Sequence, residues 1–226
     1  MAIHLRRDLE SLQEELTALA RVVELAVQKS IESLQRSDAD LAMEVIAGDA
    51  AIDEEENHIE EECLKILALH QPVAIDLRLI VAAIKINSDL ERMADLAEDI
   101  AERTLHLAGL PVVPVPPKLQ LMTELTSEMV RESLDAFISL DASLARRVCR
   151  KDDEVDRCNA EIIDELLRSM KGSPALIEPG VSMFSATRHL ERIADHATNI
   201  AEDVVYLVEG KIIRHRPLSA TLNRSP

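Results

Sequence analysis

Two stretches decide the fold: DLERMADLAEDIAE at Asp89–Glu102 and HLERIADHATNIAED at His189–Asp203. At about 100° per residue, Leu90, Met93, Ala94, Ala97, Ile100 and Ala101 fall in one sector, the core face of an amphipathic helix. Glu91, Asp95, Glu98 and Glu102 form a separate acidic stripe, with Asp99 at its margin. The second stretch repeats the plan. Leu90–Glu91–Arg92 returns as Leu190–Glu191–Arg192, and Ala94–Asp95 as Ala194–Asp195. Roughly 100 residues separate the copies, so the chain reads as an internal duplication.

The repeat extends backwards from these helices. Asp38, Leu41, Asp49, Asp53 and Glu62 match Asp141, Leu144, Asp152, Asp156 and Glu165 in order. The spacing shifts only between the second and third helices of each copy, where a turn absorbs it. Between the copies lies GLPVVPVPP, Gly109–Pro117, whose prolines forbid helix and favour an extended connector. The expected architecture is all-α: two tandem antiparallel three-helix bundles, six long helices in all. Residues 1–108 are the first bundle, 109–117 the linker, 118–210 the second bundle and 211–226 a mobile tail. Asp38 and Asp141 are placed to cap the second and fifth helices. Pro72 is expected in the first turn of the third helix, Gly109 and Gly210 just past the third and sixth. Pro174, Pro179 and Gly180 are expected to break the chain before a sixth helix beginning near Val181.

Composition agrees. Of 226 residues, 47% are hydrophobic but only 1% aromatic, so Leu, Ile, Val, Ala and Met must fill the core. With five glycines and no alternating β-branched run, a sheet is not expected. The net charge of −17 repels phosphate backbones and anionic membranes, which argues against nucleic acid and points to divalent cations or basic proteins. No apolar run is long enough to span a bilayer, and the start has no signal-peptide core. Cys63, Cys149 and Cys158 lack CxxC spacing and read as reduced cytoplasmic thiols with packing roles.

The acidic positions carry the chemistry. Carboxylates one helical turn apart repel one another unless a cation sits on them. A stripe facing solvent would explain one helix; its recurrence at Glu191, Asp195 and Glu202 argues for more. Helical spacing puts Asp49 and Asp53, and likewise Asp152 and Asp156, in the apolar half of their helices. Partly desolvated aspartates need a cationic partner, either Arg92 and Arg192 or a metal, and metal is favoured. All-oxygen sites suit magnesium, manganese, calcium or iron. His189 and His196 flank the second site and offer nitrogen ligands, which would tilt it toward iron, zinc or manganese. Glu55-x-x-His58 has no second ExxH for a ferritin-like pair, and no nucleotide-binding or nucleophile motif appears. No enzymatic activity is expected.

With GDAAID (Gly48–Asp53), KDDEVD (Lys151–Asp156) and QPVAIDLR (Gln71–Arg78), the two opening stretches resemble the PhoU family of phosphate-signalling proteins over about residues 4 to 210. The resemblance implies paired three-helix bundles, usually homodimeric and cytoplasmic, that bind multinuclear metal clusters through paired acidic motifs. It implies negative regulation of phosphate uptake through the phosphate ABC transporter and a sensor histidine kinase, with membrane association through those partners only. The metal positions map to Asp49, Asp53, Glu91, Asp95 and Asp99 in the first unit. In the second they map to Asp152, Asp156, Glu191, Asp195 and Asn199, with His196 beside them. Asn199 lacks the charge of Asp99, so the second site should bind cations differently. Arg78 is a candidate partner contact without a counterpart in the second copy. Two other readings compete: a metal-independent helical interaction module, and an accessory to a secondary phosphate transporter.

Overall fold

The computed structural model describes residues 2–111 and 114–213. Six α-helices account for nearly all of them: α1 (Ala2–Arg36), α2 (Ala39–His70), α3 (Ala74–Ala108), α4 (Pro117–Ser139), α5 (Ala142–Gly172) and α6 (Ile177–Glu209). Helices α1–α3 form one antiparallel bundle and α4–α6 the other, each with a core of Leu, Ile, Val, Ala and Met. Residues 112–113 of the connector and 214–226 of the tail lie outside the described residues.

The caps follow the local chemistry. Asp38 accepts from the Leu41 N–H at 3.0 Å, and Asp141 accepts from Ser143 and Leu144 at 2.8 and 3.0 Å. Each satisfies donors that a helix start leaves open. Gly210 ends α6 in the left-handed region at φ 69, as expected.

Three boundaries differ from expectation. Pro72 precedes α3 instead of opening it: Gln71 turns left-handed to close α2 on the Leu67 carbonyl, and Pro72 is buried in the short connection that follows. Gly109 closes α3 in right-handed geometry, φ −92, so its freedom from a side chain is not used there. Pro179 and Gly180 lie inside α6, which starts at Ile177 after a 3₁₀ turn at Pro174–Leu176. A proline in the first helical turn forfeits an N–H that has no partner in any case. Gly180 serves packing: a Cβ there would stand 2.7 Å from Met170 Cγ on α5.

The two bundles join along α3 and α6, the most extensive helix interface in the molecule. They run antiparallel in a fixed register. Lys85 pairs with Asp203 (2.9 Å), Asp89 with Asn199 (3.2 Å), Asp99 with His189 (3.5 Å) and His106 with Ser182 (2.8 Å). Each step forward on α3 is matched by an equal step back on α6. The seam is thus polar at regular intervals, with the alanines Ala94, Ala97, Ala101, Ala194, Ala197 and Ala201 buried along the same helices.

Candidate metal centre

In the first bundle, α2 and α3 run side by side with their acidic positions facing. One carboxylate oxygen each from Asp49, Asp53 and Asp95 lies within 4.8 Å of the others, the one such group among the described residues. Asp49 is half-buried, and its Oδ1 has neither water access nor a hydrogen-bond partner. Asp53 is exposed, not turned into the apolar half of α2 as its spacing suggested. The trio occupies the lip of the α2–α3 groove, where burial is partial.

The electrostatics record this crowding. Desolvation, then the charges of Asp53 and Asp95, pushes the Asp49 carboxyl above its ordinary value. Asp95 is raised by desolvation and by Asp53 and Asp99, and Glu91 by desolvation and by Asp95, Glu56 and Asp53. Glu98 is raised by desolvation and by Asp49. Among the described residues Arg92 alone of the arginines eases any of them, acting on Glu91 more weakly than burial and the neighbouring carboxylates do. Arg92 is exposed and forms no ion pair among the described residues, and neither does Arg192, but in the second groove Arg188 pairs with Glu191 Oε1 at 2.7 Å. Clustered carboxylates with an orphaned buried oxygen are a geometry that a hard cation satisfies. The donors are all oxygen, which fits magnesium, manganese, calcium or iron better than softer ions.

The second groove gathers the equivalent residues less tightly. Asp195 is pushed up to about 6 by desolvation and by Asp152, Glu191 and Asp156, so all four positions converge. Glu191 keeps a buried Oε2 without a partner. Here, however, Thr198 donates to Asp152 at 3.2 Å, where the first groove has Glu98 acting on Asp49. Asn199 does not face the groove; its amide donates to Asp89 across the seam. His196 is buried with Nδ1 2.7 Å from Asp89 Oδ1, leaving only Nε2 for any cation. His189 stands between Asp99 and Ser185, and burial holds its imidazole below the usual histidine range. Arg78 packs its guanidinium on Gly210, so its contact is made within the chain.

Sequence reasoning passed over Glu56, which lies against Asn87 and Glu91, and Asp89, which anchors the seam. Glu56 continues the helical series of Asp49 and Asp53. Asp89 had a signal as well: Asp and His occupy matched positions 89 and 189, while Asp and Asn occupy 99 and 199. Such exchanged partners are what an antiparallel pairing of the copies requires.

A duplicated helical bundle carrying one carboxylate groove per repeat is therefore the class of protein that this fold and site define. A family model described as the PhoU domain matches it twice, over residues 16–104 and 119–204. The chain belongs to the PhoU family. It is 42% identical to a phosphate-specific transport system accessory protein PhoU homolog of Aquifex aeolicus, over 93% of this chain and 95% of that protein. A Pseudomonas putida homolog is 39% identical over 93% of this chain and 83% of its own length. Among solved structures, PhoU from Pseudomonas aeruginosa superposes with a TM-score of 0.89 at 39% identity, covering 91% of this chain and 99% of that one. The phosphate transport system regulatory protein PhoU from Streptococcus pneumoniae gives 0.85 at 31% identity, covering 92% and 98%. The described helices include none long and apolar enough to cross a membrane.

Proposed function

We propose that the chain is a non-enzymatic, metal-binding regulatory adaptor of phosphate uptake. It restrains the phosphate ABC transporter and its sensor histidine kinase from the cytoplasm, as a homodimer. Family membership and the accessory-protein names of its relatives support the transport role. The observation that supports the metal is the Asp49, Asp53 and Asp95 cluster with its orphaned buried oxygen. Asp49, Asp53, Glu91, Asp95 and Asp99 would hold cations in the first groove; Asp152, Asp156, Glu191 and Asp195 would do so in the second. A bound cation there supplies the positive charge through which an acidic surface can meet phosphate oxygens.

Elemental analysis of the purified chain beside Asp49→Ala and Asp95→Ala variants tests the reading. Metal retained through gel filtration by the wild type and reduced in both variants supports it. Equal metal in all three overturns it.

A further inference from the structure

We propose that two copies of this chain associate through the outer face of the α1–α2 pair, each seating its Leu25 in the open space above the other's Gly48. The proposal rests on the homodimer reading and assigns its face; the metal grooves take no part in it.

Two cross-helix contacts set the level of α1 against α2: Lys29 with Glu44 at 2.9 Å, and His58 with Glu15 at 3.8 Å. Each step back along α1 is matched by an equal step forward along α2. Leu25 therefore stands level with Gly48, and Val22 with Ala51. Val22, Leu25 and Met43 are each 51% exposed, and Ala47, Gly48 and Ala51 are exposed beside them. A glycine weakens a helix interior, and nothing within the chain asks for one here. A Cβ at Gly48 would meet no atom within 4 Å. An unpacked leucine thus stands next to an unfilled seat on one face.

The second repeat supplies a comparison within the same chain. At the spacing that aligns Asp38 with Asp141, Leu25, Met43, Ala47, Gly48 and Ala51 correspond to Glu128, Arg146, Arg150, Lys151 and Glu154. All five charges of one repeat are absent from the other. Lys151 bonds Glu128 at 3.0 Å, so an ion pair joins α4 to α5 at the level where the first repeat holds Leu25 beside Gly48. The scaffold accepts charge at these positions, so its absence from the first repeat is not a demand of the fold. Depletion of charge is what marks the centre of an interface against the rest of a surface.

Charge and shape select a second copy as the occupant. At −17 apiece, two copies repel, and they meet most readily where charge is missing. A basic partner would instead be drawn to the acidic grooves. A knob and its seat on the same face are self-complementary. A two-fold axis between them sets each Leu25 on the other copy's Gly48, the arrangement of a closed dimer. At the rim, Arg21, Glu14 and Glu54 are exposed and form no ion pair among the described residues, so a second copy offers acids to the arginine. The size suffices as well. Two helices side by side are about 20 Å across, so a stable interface of about 800 Å² per partner needs about 40 Å of their length. With 35 and 32 residues, α1 and α2 run for about 50 Å.

Sedimentation velocity over a dilution series tests this. Leu25→Glu with Gly48→Lys copies the ion pair of Glu128 and Lys151 onto a scaffold position that holds one in the other repeat. This double variant should keep its helical circular dichroism and raise the dimer dissociation constant by about a hundredfold or more. Gly48→Ala, which favours the helix but places a methyl group in the seat, should weaken the dimer by about tenfold. Leu121→Glu, on the matching face of the second repeat, should leave it unchanged. Unaltered dimer affinity in the double variant overturns this face and leaves the homodimer standing. A wild type that stays monomeric overturns both, and the α1–α2 face then belongs to a different partner.

Discussion

The imidazole of His196 on α6 meets the carboxylate of Asp89 on α3 at 2.7 Å, with both side chains about nine-tenths enclosed. The Asn199 amide donates to the same oxygen. One acid thus serves two donors from the other repeat. Asp89→Ala should strand both donors and destabilise the protein by about 2–3 kcal/mol. Asp89→Asn keeps an acceptor and should cost less. Urea denaturation followed by circular dichroism measures both, and an Asp89→Ala midpoint equal to wild type would reject this account of the seam.

The crowded carboxylates make a pH prediction. Desolvation and like charges hold Asp49, Glu91, Asp95 and Asp152 above their ordinary values, and Asp195 at about 6. In the unfolded chain an aspartate ionises near about pH 3.9. Between those values the folded state binds more protons, so the contribution of these groups to stability falls as pH rises through the window. Asp195→Asn should therefore gain thermal stability over metal-free wild type at about pH 7 and lose that advantage near about pH 4. A gain that is constant across pH would contradict the assignment to Asp195.

The two grooves should differ in their appetite for cations. Thr198 stands where Glu98 adds charge to the first groove. Restoring the acid with Thr198→Glu should tighten divalent binding in the second groove severalfold, since affinity follows ligand charge. Calorimetric titration against manganese reads this directly, and an unchanged isotherm would show that this position does not set affinity.

Gly210 combines a φ of 69 with the Arg78 guanidinium in the space that a Cβ would take. Gly210→Ala should cost about 1–2 kcal/mol from the backbone alone, and more from displacing Arg78. Adding Arg78→Ala should recover the second part. A double-mutant cycle with no coupling would show that the two residues do not constrain one another.

The thiols should be inert while the protein is folded. Burial pushes Cys63 and Cys149 up to about 12, and Cys158 is raised as well. An aromatic disulfide reagent at about pH 8 should label native protein slowly and react with all three cysteines in urea. Rapid stoichiometric labelling of the native chain would be the contrary result.

Much of this was legible in the residues. The periodicity of Asp89–Glu102 and its copy gave six helices in two sets of three, and Asp38 and Asp141 gave two of the caps. Helical spacing also puts Asp49 and Asp53 in the apolar half of α2, which holds in part for the half-buried Asp49. What it missed was depth: angular position on one helix does not say how far a neighbouring helix overlaps it, so Asp53 emerged at the lip. Sequence alone makes Pro179 a breaker, but proline's ban on helix interiors does not extend to the first turn, where Pro179 sits. The roles of His196, Asn199 and Arg78 were out of reach for a different reason. Each meets a residue of the other repeat, and a single-repeat reading has no term for that contact.

The matched steps of α3 and α6 have one more consequence. Because every cross-pair from Lys85–Asp203 to His106–Ser182 belongs to a single register, inserting or deleting one residue between positions 85 and 106 or between 182 and 203 would throw the pairs on one side out of step with those on the other. Length variation in this architecture must therefore collect outside those two helices, in the connector and the end turns. The connector, in turn, is relieved of any duty to align the halves: it keeps two self-indexing pieces at high local concentration, and a longer or differently composed linker should deliver the same assembled molecule.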